Sequence, residues 1–207
     1  PVVAGDSFPV VARLVDEDGN TVSGTTATVA LQETCSGGRF ETTHTFVDDA
    51  SILVTPTKAC GGNSIRAFGV VEGVAIAGET PPFDVVAGPT TGIDVAARPE
   101  RIVAGVETTE AHVRGLDAYG NPSAGPIGDV TVSIAGEEVD VTNGNGDYAC
   151  VEVTPAEQRC AVRILEADES HVIDVLTTRD FTGSSNPVEV VAGIGFDMDL
   201  AMSDGCL

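Results

Sequence analysis

Leu14-Val15-Asp16-Glu17-Asp18-Gly19-Asn20 returns 101 residues later as Gly115-Leu116-Asp117-Ala118-Tyr119-Gly120-Asn121, with Asp, Gly and Asn in register. Further matches keep the same order. Val3-Ala4-Gly5 is echoed by Val103-Ala104-Gly105, and residues 48–56 align with 147–155, each ending in Val-Thr-Pro. Cys60 and Cys160 follow those runs at similar distances, and Phe83-Asp84-Val85-Val86-Ala87-Gly88 matches Val188-Glu189-Val190-Val191-Ala192-Gly193. Offsets that drift only between 99 and 105 define a repeated unit of about 100 residues, too long for a solenoid repeat and the size of a β-sandwich domain.

Within each copy the local pattern is that of strands. Residues 26–31 and 129–134 alternate apolar and polar side chains, while 8–15 and 108–116 run into Asp-x-x-Gly-Asn turns. The segments around Cys150 and Cys160 flank residues 154–159 as a hairpin. No helical period persists beyond a turn or two. The expected fold is all-β: two tandem antiparallel sandwiches over residues 1–88 and 89–193, with 194–207 opening a further repeat.

The chain ends carry the repeat out of phase. Gly92-Ile93-Asp94-Val95 opens the second copy, and Gly195-Phe196-Asp197-Met198 restates it, whereas the first copy lacks such a strand. Two accounts fit. The chain is a cut from a long array, or it is a protomer whose tail, through Phe196, Met198 and Leu200, donates a strand to the first domain of another copy. The second account would build an open head-to-tail filament.

Once laid out, the repeat resembles the bacterial immunoglobulin-like domains of invasin- and intimin-type adhesins. The residues carrying this are Val103-Ala104-Gly105, Leu116-Asp117-Ala118-Tyr119-Gly120-Asn121-Pro122, Asn143-Gly144-Asn145-Gly146-Asp147-Tyr148 and the strand from Cys160. The resemblance implies stalks, adhesins and extracellular spacers without catalysis. The cysteines depart from the common pattern. An antibody-type domain does not fit, because there is no Trp and no cysteine of the second copy precedes Cys150. Cys150–Cys160 is expected to tie the hairpin, and Cys35–Cys60 a different strand pair with Ser51 at the place of Cys150. Two disulfides imply an oxidising, extracellular or cell-surface setting. Cys206 is left over, either parted from its partner by truncation or linking protomers.

Composition excludes more than it identifies. Thirty-two acidic residues against ten basic give a net charge of −22, divided as −7, −12 and −3 over residues 1–88, 89–193 and 194–207. Such a chain has nothing to neutralise a phosphate backbone, so nucleic acid is not an expected partner. No apolar run is long enough to insert in a membrane. The expected partners are copies of itself or adjacent Ig-like repeats. The histidines, His44, His112 and His171, are scattered, and no nucleophile motif or phosphate loop is present. No cofactor is expected, apart from one calcium candidate at Asp16, Asp18 and Asn20, whose alternating hard oxygens suit Ca²⁺ and equally suit a tight turn. The functional expectation is a non-enzymatic segment of a secreted stalk, adhesin or filament. A glycan- or protein-binding module or a spacer of a large extracellular protein is the rival reading.

Overall fold

Val, Ile and Thr at alternating positions favour extended backbone, and among the described residues every regular element of the computed structural model is a strand. The structure describes residues 1–35, 39–140 and 142–193. The described chain forms two compact units, one of residues 1–91 and 115–125, the other of residues 92–114 and 126–193. The loop that closes the second copy of the Asp-x-x-Gly-Asn motif thus belongs to the first unit.

The first unit holds β1 (Val2–Val3), β2 (Phe8–Arg13), β3 (Thr26–Glu33), β4 (Arg39–Val47), β5 (Asp49–Val54), β6 (Cys60–Asn63), β7 (Ile65–Val71), β8 (Val74–Glu79) and β9 (Phe83–Val86). They pair as β4-β3-β7-β8, β1-β9-β6 and a lone pair β2-β5. Ala27, Val29 and Leu31 of β3 meet Ile52 and Val54 of β5 and Ile65 of β7 in its core, where Phe8 and Phe83 add an edge-to-face contact at 5.2 Å.

The second unit holds β10 (Gly92–Arg98), β11 (Arg101–Val103), β12 (Thr109–Leu116), β13 (Val130–Ile134), β14 (Glu137–Glu138), β15 (Gly146–Thr154), β16 (Glu157–Ile164), β17 (Asp168–His171), β18 (Ile173–Thr177), β19 (Thr182–Ser184) and β20 (Val188–Val191). The end of β12 runs into the loop counted with the first unit. One sheet is ordered β10-β12-β16-β15, the other β14-β13-β18-β19, with β11-β20-β17 at its side. This is the A-B-E-D and C′-C-F-G arrangement of an immunoglobulin-like sandwich. Val95, Ala97, Val113, Val132, Val162 and Val175 interlock between its faces.

Strand pairing corrects one sequence alignment. β5 pairs β2 with Phe8 opposite Val54, as β16 pairs β12 with Thr109 opposite Val162. The run 48–56 therefore stands in for β16, not for residues 147–155 of β15, and Ser51 does not take the place of Cys150. Among its described residues the first unit has no counterpart of β15. Neighbouring antiparallel strands share the same apolar code, so the Val-Thr-Pro match could not tell one from the other.

Candidate functional site

The side chains that the sequence singles out fall in both units, and the first unit adds an open groove. The Asp16–Asn20 loop is a turn held by its own carboxylate. Asp16 Oδ1 accepts from the amides of Asp18 at 3.0 Å and Asn20 at 2.8 Å, while Oδ2 accepts from Asn20 Nδ2 at 3.1 Å. The amide and side chain of Asn20 hold the Asp16 carboxyl below its ordinary value. These oxygens already serve donors of their own loop, as in an Asx turn, so a cation would compete with three hydrogen bonds. Among the described residues, no group of three or more His, Cys, Asp or Glu side chains is placed to hold a metal ion. The expected result is an unchanged thermal midpoint in calcium and in chelator. A calcium-dependent rise would restore the metal reading.

The equivalent loop at Asp117 does the same work inside the protein. Asp117 and Asn121 are 5% and 1% exposed. Asp117 Oδ1 accepts from the amides of Tyr119 at 2.8 Å and Asn121 at 2.9 Å, and Oδ2 from the Gly88 amide and Asn121 Nδ2, both at 2.9 Å. Asn121 continues the chain of bonds, donating to the Thr57 carbonyl at 2.7 Å and accepting from the Ala59 amide at 2.9 Å. Burial by itself pushes the Asp117 carboxyl upward. The donors of Asn121, Gly88 and Tyr119 outweigh it and bring the pKa down to about 2. The sequence favours Asp16 as a ligand because Tyr119 replaces Asp18 in the second loop, and it gives no sign that Asp117 is buried, since its further partners lie far away along the chain.

Cys35–Cys60 and Cys150–Cys160 are disulfide-bonded, with Cα atoms 6.3 and 4.0 Å apart. The second joins directly opposed residues of β15 and β16, and Cys160 is fully buried. On the same ladder Arg163 grips Asp147 with two bonds, at 2.9 and 2.8 Å. In the Asn143–Asp147 stretch, Asn143 and Asn145 both donate to the Glu138 carbonyl at 3.0 Å. His44, His112 and His171 fall on β4, β12 and β17, and Glu137-Glu138 form the exposed β14. Cys206 and the tail residues Phe196, Met198 and Leu200 lie outside the described residues.

The groove lies beside β2. It has a volume of about 510 Å³ and is lined by residues 10–15 on one side and 76–81 on the other, with Leu31, Phe46 and Ile65 at its floor. In the second unit, strand β10 covers the equivalent place, and the inward residues Thr109, Ala111 and Val113 of β12 are all 0% exposed. Their first-unit counterparts Phe8, Val10 and Ala12 are only half-buried, because β2 has a partner on one edge alone.

By strand order the chain is a tandem of immunoglobulin-like β-sandwiches, and comparison with solved structures returns low-identity matches. Invasin, described as a bacterial integrin-binding protein, is 16% identical over 89% of this chain and 37% of its own, with a TM-score of 0.36. InvD of Yersinia pseudotuberculosis is 14% identical over 96% and 56%, with a TM-score of 0.40. A β-glycosidase of Bacteroides vulgatus is 13% identical over 88% of this chain and 25% of that one, at 0.39. The chain thus spans 37% and 25% of the invasin and glycosidase chains. No protein-family model and no curated protein matches the sequence.

Proposed function

We propose that the chain is a non-enzymatic, load-bearing segment of an extracellular stalk or filament built from serial immunoglobulin-like units. The observation that carries this reading is that in each unit a short strand near its start pairs in parallel with its last strand. β1 pairs β9 in parallel, Val2 with Val85 and Val3 with Val86, and the Ala4 amide adds a bond to the Val86 carbonyl at 2.8 Å. β11 pairs β20 in parallel, Arg101 with Glu189 through Val103 with Val191, extended by the Ala104 amide to the Val191 carbonyl at 2.9 Å. Tension applied at the two ends of such a unit runs along both strands in opposite senses. It shears the whole ladder at once, whereas an antiparallel hairpin pulled at its open end breaks one pair at a time. Disulfides then limit how far each unit lengthens after its ladder fails.

Single-molecule pulling through the two ends tests this. Two unfolding events are expected, at forces well above those that unzip a hairpin. Reductant should lengthen one event by about 9 nm and the other by about 3.5 nm, the chain released from loops of 25 and 10 residues at roughly 3.5 Å per residue. Unfolding at unzipping forces would remove the load-bearing reading.

A further inference from the structure

Strand β15 is the outermost strand of the sheet β10-β12-β16-β15, and it pairs on one side only along its nine residues. The hydrogen-bond phase of the ladder fixes which backbone groups face the free edge. The Leu165 amide donates to the Asn145 carbonyl at 3.0 Å, just before Asp147 opposes Arg163. Backbone direction alternates along a strand, so residues 147, 149 and 151 also turn toward β16. Cys150 and Cys160 stand directly opposite with Cα atoms 4.0 Å apart, the close spacing of a pair that exchanges no backbone bonds. The amides and carbonyls of Tyr148, Cys150 and Glu152 therefore point away from β16, and no strand among the described residues pairs with them.

Sheet edges are ordinarily guarded by shortness, lysine, proline or a bulge. Elsewhere in the second unit such guards are present: β14 is two glutamates long and β19 three residues. β15 has no lysine or proline, and its bulge comes only at the end, between Glu152 and Thr154. Its outer face exposes Ala149, Val151 and Val153, the two valines at 66% and 46%. The charges around this apolar strip are neutralised locally. Asp147 is gripped by Arg163, and Glu157 lies 3.6 Å from Arg159 and 3.8 Å from Arg114. Two copies of a chain with net charge −22 repel each other, and a patch whose carboxylates are already paired lowers that barrier. The Cys150–Cys160 bond also fastens the strand to β16, so its edge is ordered before any partner arrives.

We propose that β15 is an interface with a second copy of the chain: two β15 strands pair antiparallel about a two-fold axis at Cys150, joining two four-stranded sheets into one of eight. The strand is self-complementary in that register. Cys150 faces Cys150 of the second copy and Tyr148 faces Glu152, so every outward amide and carbonyl of both edges is engaged. On the outer face Val151 lands beside Ala149 of the other copy, and the same contact recurs across the axis, covering the apolar strip. Asp147 lands beside Val153 and Glu152 beside Tyr148, so no like charges are opposed. A slip of one residue would set outward backbone groups against inward ones, which fixes the register. The pairing goes beyond the load-bearing reading, since it joins chains side by side whether or not they carry tension.

Sedimentation velocity of the 207-residue chain tests this, with Cys206→Ser in every protein to exclude covalent pairing. The parent should pass from monomer to dimer as its concentration rises toward millimolar, and stop there, because a two-fold pairing occupies both edges. Amide hydrogen exchange read by NMR locates the contact. The amides of Tyr148, Cys150 and Glu152 should exchange fast in the monomer and several-fold more slowly in the dimer, while those of Ala149 and Val151 are protected in both. Val151→Lys places a charge on the covered strip, and Glu152→Pro removes an outward amide while leaving the bonds to β16 in place. Both should keep the parent thermal midpoint and remain monomeric. Val151→Lys, at a position 66% exposed, decides the matter if Glu152→Pro lowers the midpoint. The proposal is overturned if the parent stays monomeric up to millimolar concentration, including the case where the edge captures an extended peptide of another protein instead. It is equally overturned if Val151→Lys dimerises as the parent does, or if the three amides stay unprotected in the dimer. None of these results bears on the pulling experiment, which reads the strength of single units.

Discussion

Asp117→Ala is expected to destabilise the first unit by about 3 kcal/mol or more, a drop in its thermal midpoint on the order of 15 °C. The carboxylate has no water to fall back on: its two oxygens accept four hydrogen bonds, and the residue is 5% exposed. Alanine leaves the Gly88 and Asn121 donors buried without acceptors, and each such orphan costs about 1–3 kcal/mol. Asp117→Asn keeps the shape and still fails. Its amide nitrogen must face a donor, either the Asn121 amide or Asn121 Nδ2. The pH dependence gives an independent check. A folded pKa of about 2, against an ordinary 3.8, marks a group whose contribution is fully present above the higher value. It fades as pH falls from about 4 toward 2, by roughly 2 kcal/mol in all. Alanine at this position should flatten that part of the stability profile. A first unit of unchanged midpoint, or an unchanged acid limb, would show that the network contributes nothing.

How far this was legible in the sequence depends on distance along the chain. The disulfide of the β15–β16 hairpin could be read directly, because Cys150 and Cys160 flank a tight turn and a hairpin leaves little choice of partner. The repeat was legible as well, but not how its two copies differ. It took the pairing of Ala67 with Gly78 and of Val175 with Gly183 to show that one glycine is covered by a strand and the other faces open space. The two Asp-x-x-Gly-Asn loops look alike for the same reason. Their local hydrogen bonds are identical in kind, and local residues specify both. Burial of the second comes from Gly88, Thr57 and Ala59, which lie 29 to 64 residues away and meet the loop through backbone atoms, so no side chain announces the contact. β5 was misaligned because period-two patterning sets which face a residue occupies and leaves open which neighbour its strand pairs with.

Glycine spacing in Asn143-Gly144-Asn145-Gly146 hides a similar asymmetry, and it yields the other large expected effect. Gly144 has φ of +75° with nothing within 4 Å of a Cβ, so Gly144→Ala should cost the second unit about 1 kcal/mol, the strain of a left-handed backbone. Gly146 starts β15 opposite Ile164 of β16, and a Cβ there would run into the carbonyl oxygen of Arg163 and stand 3.0 Å from Val139 Cγ1. That carbonyl belongs to the backbone of the ladder, and its residue is held on the other side by the two-bonded Asp147 carboxylate. Relief would require β15 to move away from β16, opening the pairs next to Asp147 and exposing Val139 and Ile164, which are 2% and 1% exposed. Gly146→Ala should therefore cost about 3 kcal/mol, several times the effect of its neighbour. Thermal unfolding of the two variants decides it. Equal losses would mean that the close approach of Gly146 to β16 does not hold the strand pair, and that turn strain alone explains both glycines.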